Sequence, residues 1–144
     1  MKIVVDTNIV FSAILNTNSQ FSEIILRPGS NYTFYSTNKL KEEMETHFDK
    51  LLKISGYTSE ELKRVLWLFY RKIKFINVEL IPGEAIQEAL FFTEDIDPDD
   101  TEFVALTIYL DGKLWSGDKK LEKGMSAKAW HKFITTSELR QTDI

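Results

Sequence analysis

The stretch KIVVDTNIVFSAIL, residues 2 to 15, constrains the fold of this chain more than any other. Ile3, Val4 and Val5 form a short continuous apolar run of β-branched residues, which reads as a buried strand. From Ile9 the apolar residues Ile9, Val10, Ala13 and Ile14 recur at helical spacing. Asp6-Thr7-Asn8 is therefore a strand-to-helix corner. Asp6 there has two readings: a helix N-cap, since Asp accepts hydrogen bonds from free helical N–H groups, or one carboxylate of a functional site. The choice turns on whether other acids reach the same place.

The same alternation continues along the chain. Gln20 to Leu26 is a second short helical stretch, stopped by Pro28-Gly29. Tyr32 to Tyr35 reads as a strand, and Ser36 or Thr37 caps a helix whose face is marked by Leu40, Met44 and Leu51. Gly56 ends that helix. Thr58 or Ser59, with Glu61, opens another, striped by Leu62, Val65, Leu66, Phe69 and Ile73. Trp67 and Leu68 widen the stripe, which suits either a core or a homodimer contact through Leu62 to Ile73. Phe75 to Ile81 is expected to hold a short strand, and Glu84 to Phe92 a helix. The acidic run DIDPDD (95–100) leads into a buried helix through Phe103 and Tyr109. Lys113 to Ser116 reads as a strand ended by Gly117-Asp118, Ala127 to Trp130 as one helical turn, Lys132 to Thr135 as a last strand, and Ser137 onward as a terminal helix. Strands separated by helices imply a parallel sheet covered on both faces.

Length and composition set the remaining bounds. The 144 residues fit one domain, 1–144, with 43% apolar and 28% charged residues. No apolar run approaches a membrane span and no leader precedes the first strand, so no membrane association is expected. The absence of Cys excludes disulfides and thiolate metal sites and suits a cytoplasmic protein. Two His, at 47 and 131, are too few and too scattered for a histidine-dominated zinc site. A net charge of −4 argues against a broad basic surface for passive nucleic-acid binding, but not against a nuclease, because clustered carboxylates inflate the negative count.

In a parallel α/β sheet, ligands bind beyond the carboxyl ends of the strands. Asp6 follows the first strand, and Asp118 lies two residues beyond Ser116. Asp100 opens the buried helix, with Asp97 one turn earlier, and Glu42 and Glu43 lie early in the helix after Tyr35. Each has a plain alternative as a cap, a turn residue or a solvated acid. Together they repel one another unless a cation joins them. An all-oxygen cluster selects Mg²⁺ or Mn²⁺. Glu43 shares the edge of the face bearing Leu40, Met44 and Leu51, so it is preferred, with Glu42 in reserve. Asp100 is preferred to Asp97.

The sequence resembles the PIN-domain ribonucleases. The resemblance rests on VVDTNI (4–9), STNKLKEEM (36–44), DPDDTEFVALTIYL (97–110) and LWSGDKKL (114–121), in the family's order and over nearly the whole chain. It implies a three-layer α/β/α sandwich with a central, mainly parallel sheet. It also implies an acidic quartet, Asp6, Glu43, Asp100 and Asp118, that binds one or two divalent metals, Mg²⁺ or Mn²⁺, and hydrolyses RNA. Asp97 is a fifth acid, and Thr7, Asn8 and Ser116 match supporting polar positions. Many small members are toxins of toxin–antitoxin pairs, so the resemblance raises an antitoxin partner. Lys119, Lys120 and Lys123, with Lys39 and Lys41, are candidates for RNA phosphates or for solvated surface.

Three other readings compete. Haloacid-dehalogenase-like phosphatases need a second Asp two residues after the first, where this chain has Asn8. A receiver-like Mg-binding signalling domain needs an acidic pair ending the first strand, where this chain has a single Asp. A catalytically inactive PIN-like module would retain the acids but only bind RNA or protein.

Overall fold

In the computed structural model, residues 1–16, 19–27 and 31–141 are described; the expected Pro28-Gly29 stop lies outside them. Four strands, β1 (Lys2–Val5), β2 (Thr33–Thr37), β3 (Ile73–Ile76) and β4 (Lys113–Trp115), pair in the order β3-β2-β1-β4. All pairings are parallel, with Ile3 opposite Phe34 on one side and Lys113 on the other. Ile3, Val4 and Val5 are fully buried although their side chains alternate between the two faces. Both faces of β1 are therefore covered, as a continuous apolar strand requires.

The connections explain how. Helices α1 (Thr7–Leu15) and α2 (Gln20–Leu26) carry the chain from β1 to β2. Helices α3 (Asn38–Thr46), α4 (Phe48–Ser55) and α5 (Ser59–Tyr70) carry it to β3. Helices α6 (Gly83–Thr93) and α7 (Thr101–Leu110) then return it to β4, beyond β1. Parallel crossovers are right-handed, so the change of direction places α6 and α7 on the opposite face from α1–α5. The packing agrees: α7 lies against β1, β2 and β4, while α1 packs with α3, α4 and α5. The reversal between β2 and β4 opens a crevice at the carboxyl ends of β1 and β4. Trp115 fixes the end of β4 below it, buried against Phe21 and Phe34, with its Nε1 donating to Thr136 Oγ1 at 3.0 Å.

Several local signals act as expected. Thr58 and Glu61 form a reciprocal capping box on α5, and Gly56 ends α4 in the left-handed conformation, φ +76°. Other segments differ from the sequence reading. The helix marked by Leu40, Met44 and Leu51 is broken at His47 into α3 and α4, with no Gly or Pro at the break. Ile73 belongs to β3 rather than to the helical stripe, and the expected strand through Ile81 gives way to a 3-10 turn, Val78–Leu80, capped by Asn77. The strand expected at Lys132 to Thr135 is a single parallel bridge between Leu114 and Phe133.

The largest difference is α8 (Lys119–Ala127), which the sequence reading did not place; the helical turn expected at Ala127 to Trp130 is instead the exit from this helix, with Ala129 at φ +65°. It buries Leu121 and Met125 and carries Gly124 in its interior, at a propensity cost of about 1 kcal/mol. Gly124 is there for packing: a Cβ would lie 2.5 Å from Ile96 Cδ1. The final helix, α9 (Thr136–Gln141), begins one residue before the expected start.

Gly112 is the second tight approach, since a Cβ there would lie 2.6 Å from the Lys2 carbonyl oxygen. The obstacle is backbone, so Gly112→Ala must strain the β1–β4 pairing. The expected cost is about 1–3 kcal/mol, a fall of roughly 3–10 °C in melting temperature. Thermal unfolding followed by circular dichroism checks this.

Candidate active site

Asp6 leaves β1 at the crevice and caps α1, its Oδ1 accepting from the Ile9 amide at 3.1 Å. Its own amide donates to the Trp115 carbonyl at 3.3 Å, which extends the β1–β4 ladder by one step. The side chain is 2% exposed, and Oδ2 is buried with no hydrogen-bond partner. A cap needs one oxygen, so capping leaves the second one unexplained. Burial is the main cause that pushes the Asp6 carboxyl up to about 6, with smaller contributions from the charges of Asp118 and Glu43. The Ser116 hydroxyl, near the carboxylate but outside hydrogen-bond geometry, and the Ile9 amide pull the other way. Keeping Asp6 ionised there costs about 3 kcal/mol relative to water.

Asp118 follows β4 across the crevice. Its Oδ1 caps α8 through the Leu121 amide at 3.0 Å, and its own amide donates to Ser116 Oγ at 3.0 Å. Asp97 caps and Asp100 ends a 3-10 turn, Pro98–Asp100, that runs into α7. Asp97 Oδ1 accepts from the Asp99 amide at 3.1 Å, which folds the turn. Thr101 Oγ1 donates to the Pro98 carbonyl at 2.7 Å and lies 2.7 Å from the buried Thr93 hydroxyl, so the turn is pinned to α6. Carboxylate oxygens of Asp97, Asp100 and Asp118 all lie within 4.8 Å of one another. Asp100 is pushed up to about 8, first by burial and then by the charges of Asp6, Asp97 and Asp118.

Glu43 enters from α3. Thr7 Oγ1 donates to Glu43 Oε1 at 3.1 Å, which aims that carboxylate toward the end of β1. Glu42, the reserve, is exposed on the neighbouring face of α3. The structure thus brings Asp97, Asp100 and Asp118 to ligand spacing, with Asp6 and Glu43 near enough to feel these charges and each other but outside that tight group. Thr7 and Ser116 lie beside them, and Asn8 sits 3.9 Å from a Cβ built on Gly117.

The lysines divide. Lys119, Lys120 and Lys123 are exposed on α8. Lys39 instead donates to the Asp99 carbonyl, tying α3 to the acidic turn. Lys41 lies over the Phe75 ring, 4.1 Å from its centroid. Thr93 and Thr101 were missed in the sequence, where isolated threonines carry no signal. The fixed position of Thr101 after DPDD is the one cue that was available.

Oxygens on opposite sides of one Mg²⁺ sit about 4 Å apart. The cluster spacing, the oxygen-only donors and the unpartnered Asp6 Oδ2 therefore fit a hard divalent cation. A group of three carboxylates thus stands at the switch point of a parallel α/β sheet. Residues 4–141 match the sequence profile of the PIN domain, and the chain belongs to that family. The fold is similar to the crystal structure of VapBC2 from Rickettsia felis bound to a DNA fragment from their promoter, with a TM-score of 0.66. That similarity covers 94% of this chain and 97% of the other at 17% identity. No curated protein sequence matches this chain significantly.

Both raised carboxyls set a pH dependence. Asp6 and Asp100 hold their protons to higher pH when folded than when unfolded, so between about pH 4 and 8 the folded state binds more protons. Stability of the metal-free protein therefore falls as pH rises through that window. The benefit is complete below about pH 4 and is lost near 6 for Asp6 and near 8 for Asp100. Melting temperatures in chelator from pH 5 to 8.5 should decline, and Asp100→Asn should flatten the upper part. A rising curve would contradict the assigned environments.

Proposed function

We propose that this protein is a divalent-metal-dependent ribonuclease that hydrolyses RNA phosphodiester bonds. The observation that carries the reading is the buried, unpartnered Asp6 Oδ2 among carboxylates that repel one another. Asp6, Asp100 and Asp118 hold Mg²⁺ or Mn²⁺, with Asp97 beside them. The ion, when bound, activates water and stabilises the leaving oxygen. Glu43, aimed by Thr7, orients the attacking water as an acceptor. Ser116 holds the loop between β4 and α8 through the Asp118 amide, and Asn8 closes the crevice from the α1 side. Lys119 and Lys120, exposed beside Asp118, meet RNA phosphates; Lys39 contributes by fixing the acidic turn.

The toxin of a toxin–antitoxin pair is the setting we propose, in the cytoplasm, with an antitoxin protein as partner. Support comes from the family and from the likeness to a VapBC2 assembly. No helix among the described residues is long and apolar enough to cross a membrane. We also propose a homodimer through α5, where Trp67 is 56% and Leu68 40% exposed. Light scattering at tens of micromolar should give twice the chain mass; a monomer would contradict the dimer.

The test is Asp6→Asn, which keeps an oxygen for the Ile9 amide and removes one charge. Mn²⁺ at about a hundred times its dissociation constant should stabilise the wild-type protein by ~2.7 kcal/mol, or very roughly 5–10 °C. Asp6→Asn should lose RNA cleavage, lose that response to Mn²⁺, and melt at an equal or higher temperature without metal. If Asp6 were a cap alone, the change would be nearly neutral in all three assays, because Asn caps about as well. Full cleavage by folded Asp6→Asn protein would overturn the proposal.

A further inference from the structure

A groove of about 510 Å³ runs between α1 and the consecutive helices α3 and α4, and it begins at the carboxylate cluster. Asn8 and Glu43 line its inner end. Asn8 packs near Gly117, one residue from Asp118, so the groove is continuous with the crevice. Farther out the walls are Phe11 and Ser12 on α1, and His47 and Lys50 on the other side, and Leu15, Leu51 and Ile54 make the outer end apolar. Positions 8, 11, 12 and 15 share one side of α1, and 43, 47, 50 and 54 follow the same helical spacing across the break at His47. From Asn8 to Leu15 the groove follows α1 for roughly 10 Å.

We propose that this groove is a nucleotide subsite for single-stranded RNA. A base next to the cleaved phosphodiester stacks on the Phe11–His47 ring pair, its edge meets Asn8 and Ser12, and Lys50 neutralises a flanking phosphate. The inference rests on the ribonuclease reading above and adds where the strand runs and what selects its sequence.

Three features carry it. The Phe11 and His47 rings lie 6.0 Å apart with planes tilted by 57°, on the two facing walls. The two rings contact each other at that spacing, so a base stacks on the outer face of the exposed His47 imidazole rather than between them, with hydrogen bonds to its own exposed edge. The volume lies within the range of small-ligand sites that combine aromatic walls with a few polar groups. The charge order also fits a strand: the acidic end takes the scissile phosphate through a cation, and Lys50 supplies positive charge two helical turns from Glu43. An apolar peptide in the same groove could pair Asn8 and Ser12 through its main chain but would bring no anion to Lys50. A nucleotide offers a partner to each.

The break between α3 and α4 acquires a use in this reading. His47 sits at the junction, with φ −101° and ψ 17°, outside the regular turns of either helix. The exposed imidazole there faces Phe11 across the groove.

The test uses His47→Ala and Ser12→Trp, both at exposed positions outside the carboxylate cluster. Binding is read with an oligoribonucleotide carrying 2-aminopurine, using Asp118→Asn protein so that the strand stays intact. The fluorescence should fall on binding, and adding His47→Ala should abolish that fall and weaken binding roughly tenfold. With an otherwise wild-type protein and Mn²⁺, both variants should raise KM roughly 5–50-fold and alter base preference. Their melting-temperature response to Mn²⁺ should stay that of the wild type. Cleavage by the wild type with unchanged KM and base preference in both variants would overturn the subsite and leave the ribonuclease reading standing. Loss of affinity for a protein partner with RNA kinetics unchanged would overturn it in favour of peptide docking. No RNA cleavage by the wild type in Mn²⁺ would remove the parent reading and this one with it.

Discussion

Asp6 is held inside the protein by the strand it ends. β1 pairs with β2 on one side and β4 on the other, so both halves of the sheet hang on it. Ser36 Oγ donates to the Val5 carbonyl at 2.8 Å, and the Asp6 amide donates to the Trp115 carbonyl. The carboxylate is thus anchored from both neighbouring strands at the point where the chain turns into α1. A residue so fixed cannot relieve its burial by swinging into solvent. It must take a proton, or share a cation with the acids around it.

The rest of the site is arranged about that fixed point by short polar contacts. Thr7 holds Glu43, Ser116 holds the backbone of Asp118, and the Thr93–Thr101 pair holds the turn that carries Asp97 and Asp100. Gly124 of α8 lies against Ile96, the residue before Asp97. Each contact is worth only about 1 kcal/mol by itself. Together they hold like charges within range of one another at a cost to stability, the usual sign of a site kept for chemistry rather than for folding.

Much of this was legible in the sequence because its signals are local. A β-branched run ending on Asp, a polar corner and a resumed helical period fix the first strand, the first helix and Asp6. The capping box at Thr58 and Glu61, and Gly56, fix two helix ends in the same way. Helical facing favoured Glu43 over Glu42, and it is Glu43 that accepts from Thr7 in the structure. What stayed hidden depends on tertiary contact. α8 has an interior glycine and two buried residues, so its periodicity is faint, and its purpose is visible only with Ile96 beside it. The break at His47 carries no Gly or Pro. Ile73 fits a helical stripe by spacing, yet its place beside Phe34 makes it a strand residue.

The central claim is that the carboxylates gathered at the ends of β1 and β4 share a divalent cation. Anomalous diffraction from crystals of the protein grown or soaked with Mn²⁺ tests it most directly. The account predicts a peak within bonding distance of Asp6 Oδ2 and of carboxylate oxygens from Asp100 and Asp118. A well-ordered crystal with no peak there, or with manganese bound only at surface acids such as Glu42 or Asp99, would contradict it.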